Sequence, residues 1–411
     1  MGAWPMHGTP RLSTGSNADR EAVVEVATTF AEIEALRSVW TGLEATNIDS
    51  EIDFFSTVTA NAENVVSPFV VHIRNPDRPE RDLLVAARLE KMSVRFQLGY
   101  FSAGRVMVRA IAVAFDGVIG ARDQDDEALV LRTLKGFLDA GEAEVLLLRN
   151  VDPSSTLYKA ARSQVSGLRL AHFQVVDRLW VARLAPTLDA FLANRSAKSR
   201  NTYRRKERKL REQFGEALTL QCLRDPSDFE AVCRDMRAIA IRTYQAGLGA
   251  AFSNSPMERA LIVQGLARGT FRCWILYIHD RPVAFWAGMG HQGVFYITTP
   301  GFDPDYGQHS VGSFTMLRMI EELCADPDHS WIEFGRGDAQ YKREFADPVK
   351  QQTDIWIAAA RPWPMLVTAA TSLTGLINQT AKRWMENHEW GRRLKSRWRQ
   401  RFQGTRQKAR T

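Results

Sequence analysis

Apolar positions alternate along the chain between two spacings, one typical of strands and one typical of helices. In the first half we expect a helix at 22–36, strands at 69–74, 83–89, 106–115 and 144–148, and helices at 127–140 and 154–166. The segment from Asn75 to Pro79 must separate the first two strands, because proline cannot donate to a strand ladder. Strands that alternate with helices in this way predict a layered α/β (α+β) fold.

A similar order of elements restarts after Ala185 and Pro186. Here the spacing predicts helices at 188–212, 225–244, 257–268 and 310–325, strands at 218–223, 271–279, 282–290, 293–299 and 331–334, and a loop at 300–309. After the last of these strands come a second loop and an apolar segment at 354–359. No sequence repeat is visible, but the shared order of elements predicts a duplicated fold. Each domain is expected to be a mixed, mostly antiparallel sheet flanked by helices.

Composition divides the chain into four predicted parts. They are a disordered lead at 1–21, domains at 22–185 and 186–362, and a basic helical tail at 363–411. The lead lacks the apolar core of a signal peptide. The chain has 45% hydrophobic and 25% charged residues, an ordinary globular composition that excludes disorder throughout.

The positive charge of the chain lies in the tail. Residues 382–411 contain eleven Lys or Arg and two Glu, so their net charge is +9 and that of the remaining chain is −2. Trp390, Leu394, Trp398 and Phe402 recur every four residues, which gives a helix one aromatic face. An anionic lipid surface, a partner protein and the protein's own first domain are the open alternatives for this face. We expect a cytoplasmic protein, with peripheral contact to the inner membrane face as one alternative.

Metal and nucleic-acid binding have little support in the sequence. The four cysteines lie 11, 40 and 51 residues apart, so no pair has zinc-ligand spacing, and they indicate reduced thiols. The segment 195–212 has nine Lys or Arg and two Glu, and we interpret it as the solvated face of a helix. We therefore expect no metal and no nucleic-acid partner.

One predicted helix start is suited to an anion. A strand leads through a loop to His309, Ser310, Val311, Gly312 and Ser313, and no acidic residue follows before Glu321. Free N–H groups and the positive end of the helix dipole attract anions here, and glycine lets a phosphate approach the backbone. The alternative is an ordinary capped helix.

The corresponding helix of the first half starts differently. Its entry at 123–127 contains four carboxylates, which would repel a bound anion. Only the second half is therefore expected to hold a phosphorylated cofactor.

A second segment concentrates ionisable groups after a strand. Two glycines flank Arg336 there, beside Glu333, Asp338, Tyr341 and Lys342. A tight backbone with a fixed cation and carboxylates that can accept a proton suits a catalytic loop, and a salt-bridged turn is the alternative.

Two motifs together carry a family resemblance. The first contains Tyr306, Ser310, Gly312 and Ser313, and the second runs Glu333-Phe-Gly-Arg-Gly-Asp338 and continues to Tyr341, Lys342 and Phe345. With them, residues 186–360 resemble the CelD/BcsL-like acetyltransferase branch of the GNAT superfamily, in which Asp is commoner than Glu333. The first half resembles the N-terminal domain of that branch more weakly.

The resemblance implies direct acyl transfer from acetyl-CoA or another acyl-CoA to an amine or hydroxyl of a small acceptor. An amino sugar or glycan precursor, and a role in exopolysaccharide or cellulose biosynthesis, follow from the naming of the branch alone. Such chemistry needs a base, an oxyanion donor and an acid for the departing thiolate.

Each of these roles has candidate residues. Asp338 or Glu333 is the candidate base, and Tyr341 or Tyr306 the candidate acid. The backbone of Tyr296, Ile297 and Thr298 is the candidate oxyanion donor. The segment His309, Ser310, Val311, Gly312 and Ser313 would hold the cofactor, and Arg336 and Lys342 would bind an anionic acceptor or a cofactor phosphate.

The resemblance has one departure that keeps other functions open. The usual loop of the superfamily, (Gln/Arg)-x-x-Gly-x-(Gly/Ala), becomes His309-Ser-Val-Gly-Ser-Phe314 in this chain. A catalytically idle module that binds a polysaccharide-synthesis partner is therefore one alternative. A transferase of the Fem type, which takes acyl groups from aminoacyl-tRNA, is another.

Overall fold

The computed structural model describes residues 22–98, 101–172, 175–243 and 251–387. The predicted lead at 1–21 and most of the basic tail, including Trp390, Leu394, Trp398 and Phe402, lie outside these residues.

The described chain forms strands and helices in alternation. The strands are β1 Val23–Ala27, β2 Val65–Pro68, β3 Val70–Arg74, β4 Leu83–Leu98, β5 Phe101–Ile119, β6 Val145–Val151, β7 Asp177–Arg183, β8 Leu218–Leu223, β9 Phe271–Ile278, β10 Arg281–His291, β11 Val294–Phe302, β12 Trp331–Arg336 and β13 Asp347–Ala358. The helices are α1 Phe30–Ala35, α2 Arg37–Gly42, α3 Ile52–Asn61, α4 Gln124–Ala140, α5 Thr156–Gln164, α6 Leu188–Ala193, α7 Ala197–Phe214, α8 Phe229–Ala240, α9 Pro256–Ala267, α10 Val311–Cys324, α11 Gln340–Phe345 and α12 Pro362–Asn387.

All strands belong to one sheet. Its order is β1-β3-β4-β5-β6-β13-β7-β12-β11-β10-β9-β8, and β2 pairs with β4 beside this path. In each half an antiparallel set leads to a single parallel pair, β5 with β6 and β11 with β12. The helices α4 and α10 make the crossovers within these pairs, as parallel neighbours require. The predicted α/β (α+β) fold with two similarly built halves is confirmed.

The two halves exchange a strand at the centre of the sheet. Strand β7 belongs by sequence to the first half but pairs with β12, and β13 belongs to the second half but pairs with β6. The two exchanged strands also pair with each other in antiparallel register. The predicted domain boundaries at 185/186 and 362/363 stay predictions. Hydrogen bonds of the sheet cross the first boundary, and α12 begins at the second.

Helices cover both faces of the sheet in each half. In the first half α4 and α5 pack with Val85, Ile111 and Leu148, while the residues of α1 to α3 pack with Leu84 and Ala86 on the other face. In the second half α10 covers one face and α8 with α9 the other. Alternate side chains of each central strand therefore enter different cores.

Three predicted elements need correction. The segment 22–36 is not one helix, because the β-branched run Val23–Ala27 pairs with β3 and only Phe30–Ala35 is helical. The helix predicted at 188–212 is two helices, and Ser196 caps the second one. The predicted loop at 300–309 begins with strand residues up to Phe302 and continues as a 3-10 helix, Pro304–His309.

Candidate functional site

A cavity of about 510 Å³ lies at the start of α10. Three segments of the second half line this α10 cavity: the end of β11 around Pro300, the first turn of α10, and residues 338–341 after β12. Ser310, Val311, Gly312 and Ser313 thus lie in one cavity with Asp338 and Tyr341. The structure brings together two groups of predicted site residues that are 25 positions apart in the sequence.

The first turn of α10 leaves its amide groups available. Ser310 precedes the helix in the left-handed conformation with φ of 58°, and its side chain makes no capping hydrogen bond. No acidic residue lies in the first turn. The indole Nε1 of Trp286 donates to the carbonyl oxygen of Gly312 at 2.9 Å, which fixes this turn against the sheet. The N–H groups of the turn and the helix dipole therefore suit an anion.

A lysine that the sequence analysis placed on the solvated face of a helix lies near the start of α10. Lys206 of α7 lines a small recess with His309, Ser310 and Ser313. The His309 ring itself packs edge-on against Phe214, with 5.1 Å between ring centroids. Lys206 and His309 thus flank the helix start from the side of α7.

The equivalent helix start of the first half is closed by its own carboxylates. The Asp123 side chain accepts hydrogen bonds from the N–H groups of Asp125 and Asp126. Arg81 bridges Asp123 at 2.9 Å and Asp126 at 2.6 Å. The amides of α4 are therefore capped and its charges paired, in agreement with the contrast that the sequence predicts between the two halves.

Strands β11 and β12 separate next to the α10 cavity. Their parallel pairing covers only Val294–Tyr296 and Trp331–Glu333. On its other side β11 has an irregularity, because Thr298 is an extra residue between the partners Ile297 and Thr299. The Thr298 hydroxyl donates to the Ala287 carbonyl at 3.1 Å. The backbone of Tyr296, Ile297 and Thr298 therefore lies at the opening, and its predicted oxyanion role stays a prediction.

A second cavity, of about 530 Å³, lies where the two halves meet. This junction cavity is lined by β5 and β6 at the point where they separate, by the exchanged strands, and by Tyr296 and Glu333. Tyr296 and Glu333 are register partners on adjacent strands, so their side chains share a face. Phe295 and Ile332 point to the opposite face, into the core beneath α10.

Glu333 has an unusual electrostatic environment. Burial and the carboxylates of Asp49 and Asp116 raise the pKa of Glu333 to about 7, although Lys342 and Lys350 oppose the shift. Burial also raises the pKa values of Asp49 and Asp116. The pKa of Tyr296 is raised by burial and then by Glu333. A carboxyl with a pKa near neutrality can accept a proton at physiological pH and release it again.

Several residues that line the junction cavity were not predicted from the sequence. Asp116 and Asn150 line the cavity, and each adopts a left-handed φ inside a strand, 48° and 57° respectively. Gln352 of β13 is only 2% exposed, and its Oε1 has no hydrogen-bond partner among the described residues. Backbone strain and unpaired polar atoms concentrate at functional sites. The isolated Asp116 within the apolar end of β5 was the signal available in the sequence.

The two candidate bases occupy different cavities. Asp338 is exposed in the α10 cavity, where Arg343 donates to its carboxylate at 2.7 Å. Tyr341 lies in the same cavity and packs edge-on against Trp286, with 5.2 Å between ring centroids. Glu333 lies in the junction cavity with Tyr296. The geometry separates these candidates, and the catalytic role of each stays a prediction.

The two predicted anion-binding cations contact protein groups. Arg336 donates to Asn150, to Asp354 at 3.2 Å and to Asp177 at 3.4 Å, and these partners come from β6, β13 and β7. Lys342 is buried, and its Nζ donates to the carbonyl oxygens of Gly335 and Arg336. Burial lowers the pKa of Lys342. Both cations therefore stabilise the loop and the junction, and their binding of an anionic substrate stays a prediction.

Comparison with known families gives a match within the second half. Residues 197–343 match the family model described as acetyltransferase (GNAT) domain. The matched segment contains α7 to α10, the first motif, the second motif up to Lys342, and the residues that line the α10 cavity. It supports a transferase of the GNAT type, without singling out the CelD/BcsL-like branch. Among proteins with curated descriptions, no sequence matches this chain.

Solved structures provide distant similarities. A conserved protein of unknown function from Bacteroides thetaiotaomicron has a TM-score of 0.49 at 15% identity, over 82% of this chain and 100% of that one. FemX has a TM-score of 0.48 at 7% identity, over 77% and 98%. A tandem GNAT protein from the clavulanic acid biosynthesis pathway has a TM-score of 0.44 at 11% identity, over 82% and 99%. All three scores lie below 0.5, and the fold rests on the strands and helices given above.

Among the described residues, no group of three or more His, Cys, Asp or Glu side chains is placed to hold a metal ion. In the same part of the chain, no helix combines the length and apolarity that crossing a membrane requires.

Proposed function

We propose that this protein is an acyl-CoA-dependent acyltransferase with two GNAT-like halves, the second of which is catalytic. The acyl donor occupies the α10 cavity, and the acceptor occupies the junction cavity on the other face of the sheet. The two substrates meet where β11 and β12 separate. The observation that carries the proposal is the position of Glu333 at this opening, with a pKa of about 7.

The first turn of α10 supports the choice of donor. Its amides are uncapped by a side chain, it contains no acid, and Lys206 and His309 flank it. A diphosphate such as that of coenzyme A has the charge that this turn attracts. Acetyl-CoA is the simplest donor of this class.

The reaction is a direct transfer. The acceptor amine or hydroxyl attacks the thioester carbonyl carbon, its proton passes to the Glu333 carboxylate, and the carbon–sulfur bond breaks. Backbone N–H groups of Tyr296 to Thr298 stabilise the oxyanion. The departing thiolate takes a proton from Tyr341 or Tyr306, and coenzyme A leaves as the free thiol.

The acceptor is a small molecule with an amine or hydroxyl group. A glycan precursor or amino sugar, and a place in exopolysaccharide biosynthesis, rest on the resemblance to the CelD/BcsL-like branch. The two alternative functions differ from this one in their acyl donor. A catalytically idle module needs no donor, and a Fem-type transferase needs aminoacyl-tRNA.

A thiol-release assay with acetyl-CoA and a panel of amine and hydroxyl acceptors tests the proposal. We expect Glu333→Gln to lower kcat by about 10²- to 10⁴-fold, the usual contribution of a general base, with coenzyme A binding retained. Asp338→Asn is the matched variant, because it removes the other candidate carboxylate. A loss of turnover in Asp338→Asn alone would assign the base to Asp338 instead.

Binding measurements separate the alternatives. Coenzyme A that binds selectively to the folded protein raises its melting temperature. Absence of any shift with coenzyme A, acetyl-CoA and longer acyl-CoAs would contradict the proposed donor. Acyl transfer from aminoacyl-tRNA in the same preparation would then support the Fem-type alternative.

A further inference from the structure

The outer face of α12 lacks charged residues over the first twenty residues of the helix. No Asp, Glu, Lys or Arg occurs between Pro362 and Ala381. The inner face packs on β4 and β13, where Val367 is buried and the Trp356 indole donates to the Thr368 hydroxyl at 2.9 Å. A surface helix of a globular protein normally turns polar residues outward.

The exposed positions of α12 form one stripe that is apolar except for Thr380. At 100° per residue, six exposed apolar side chains fall within less than half of the helix circumference. They are Trp363, Leu366, Ala369, Leu373, Leu376 and Ile377. Leu366 is 62% exposed and Leu373 is 58% exposed, so nothing among the described residues covers them. A contiguous exposed patch of this kind marks an interaction site.

The chain that follows the helix indicates what the stripe contacts. Residues 388–411 contain nine Lys or Arg and one Glu, together with Trp390, Trp398 and Phe402. An apolar helix face next to basic and aromatic residues has the composition of an interfacial membrane anchor. The positive charge of this segment matches anionic headgroups.

We propose that the outer face of α12 docks this protein on an anionic lipid surface. The helix lies in the plane of the interface, with its stripe toward the acyl chains, and the sequence after Asn387 adds positive charge that attracts anionic headgroups. The proposal is independent of the acyl transfer proposed above, because it uses no residue of either cavity.

Vesicle co-sedimentation of the full chain tests the docking. We expect binding to phosphatidylcholine vesicles with 30% phosphatidylglycerol, and at least tenfold weaker binding to pure phosphatidylcholine. The double variant Leu366→Glu/Leu373→Glu should lose at least tenfold in binding to the anionic vesicles. Both side chains are exposed, so the variant should keep its circular dichroism spectrum and melting temperature.

A matched control places a carboxylate elsewhere. Val263→Glu alters an exposed apolar side chain of α9 and should bind as the unchanged protein does. Deletion of 388–411 should also weaken binding, and added salt should weaken it further. Failure of the unchanged protein to bind anionic vesicles would overturn the proposal. Undiminished binding of the double variant to anionic vesicles would also overturn it. A dimer in solution that the double variant converts to a monomer would overturn it as well.

Discussion

Glu333 illustrates how a single residue depends on distant parts of the chain. Its carboxyl lies on β12, but two of the groups that raise its pKa, Asp49 and Asp116, belong to the first half. Its opposing cations, Lys342 and Lys350, follow it in the sequence. The proton affinity of this residue is therefore a property of the assembled junction.

The pH dependence of turnover is the first prediction at this scale. The Glu333 base works only when deprotonated, so kcat/KM should rise with pH and level off above about 7, the pKa of Glu333. Asp49→Asn removes a negative neighbour and should shift the midpoint to lower pH. Lys350→Met removes a positive neighbour and should shift it to higher pH. A pH profile of each variant measures these midpoints.

The control for this prediction is Asp152→Asn. Asp152 lines the same cavity but is not among the groups that shift the pKa of Glu333. An equal shift of the midpoint in Asp152→Asn and Asp49→Asn would show that overall charge, rather than the named contact, sets the profile.

The second prediction concerns stability. The pKa of Glu333 is 4.5 in an ordinary environment and about 7 in the folded protein, so between these values only the folded state holds the proton. Stability must then decrease as pH rises through this window. Glu333→Gln removes the effect and should stabilise the protein by about 1 to 3 kcal/mol at pH 8, with little gain at pH 5.

Denaturant unfolding at the two pH values measures that difference, with Glu63→Gln at an exposed position as the control. A stabilisation by Glu333→Gln that is equal at pH 5 and pH 8 would mean that the carboxyl is not protonated in the folded state at the lower pH.

At the scale of elements, the first turns of α4 and α10 differ in their suitability for binding an anion. Both are crossover helices between a parallel pair of strands, and both first turns lie at the edge of a cavity. In α4 the first turn contains Asp125, Asp126 and Glu127, whereas the first turn of α10 contains no acid. This difference was visible in the sequence because it depends only on residue types at a helix boundary.

The third prediction transfers the acidic pattern to α10. Ser313→Asp places a carboxylate in the first turn, where it should repel the coenzyme A diphosphate and weaken binding at least tenfold. The same change favours the helix dipole by about 0.3 to 1 kcal/mol, so the melting temperature should not decrease. Ser313→Asn is the neutral control of similar size. Calorimetric titration with coenzyme A gives the affinities, and equal affinity of the two variants would argue against a diphosphate at this turn.

Elements with strong local patterns were predicted well, and those that depend on their partners were not. The apolar run of β9 and the absence of acidic residues at the start of α10 are local signals. In contrast, Val23–Ala27 has helical spacing in part of its sequence, and only pairing with β3 makes it a strand. Strand β7 was not predicted at all, because its seven residues receive their neighbours from other parts of the chain.

The residues of the candidate site also differ in how far the sequence could predict them. The α10 cavity is formed by two sequence motifs, so its residues could be named in advance. The junction cavity takes residues from segments as distant as Asn47, Asn150 and Gln352. No spacing rule connects such positions, since their proximity follows from the strand order of the sheet.

At the scale of the whole molecule, the exchange of β7 and β13 makes the halves interdependent. Each half receives its innermost strand from the sequence of the other half. Arg336 reinforces the exchange through Asp177 of β7 and Asp354 of β13, while Asn150 accepts from it on β6. The junction cavity, with Glu333 and Asp116, exists only when both strands are in place.

The last prediction follows from this exchange. If the chain is divided at 185/186, the first fragment carries β7 without its partner β12, and the second carries β13 without its partner β6. Each half then lacks its innermost strand. An exposed, unpaired strand edge favours aggregation, so neither fragment should fold alone. Co-expression of 1–185 and 186–411 should instead give a soluble complex with a single unfolding transition, measured by calorimetry. The intact chain is the control, and a cooperative transition in either isolated fragment would show that the halves fold as independent domains.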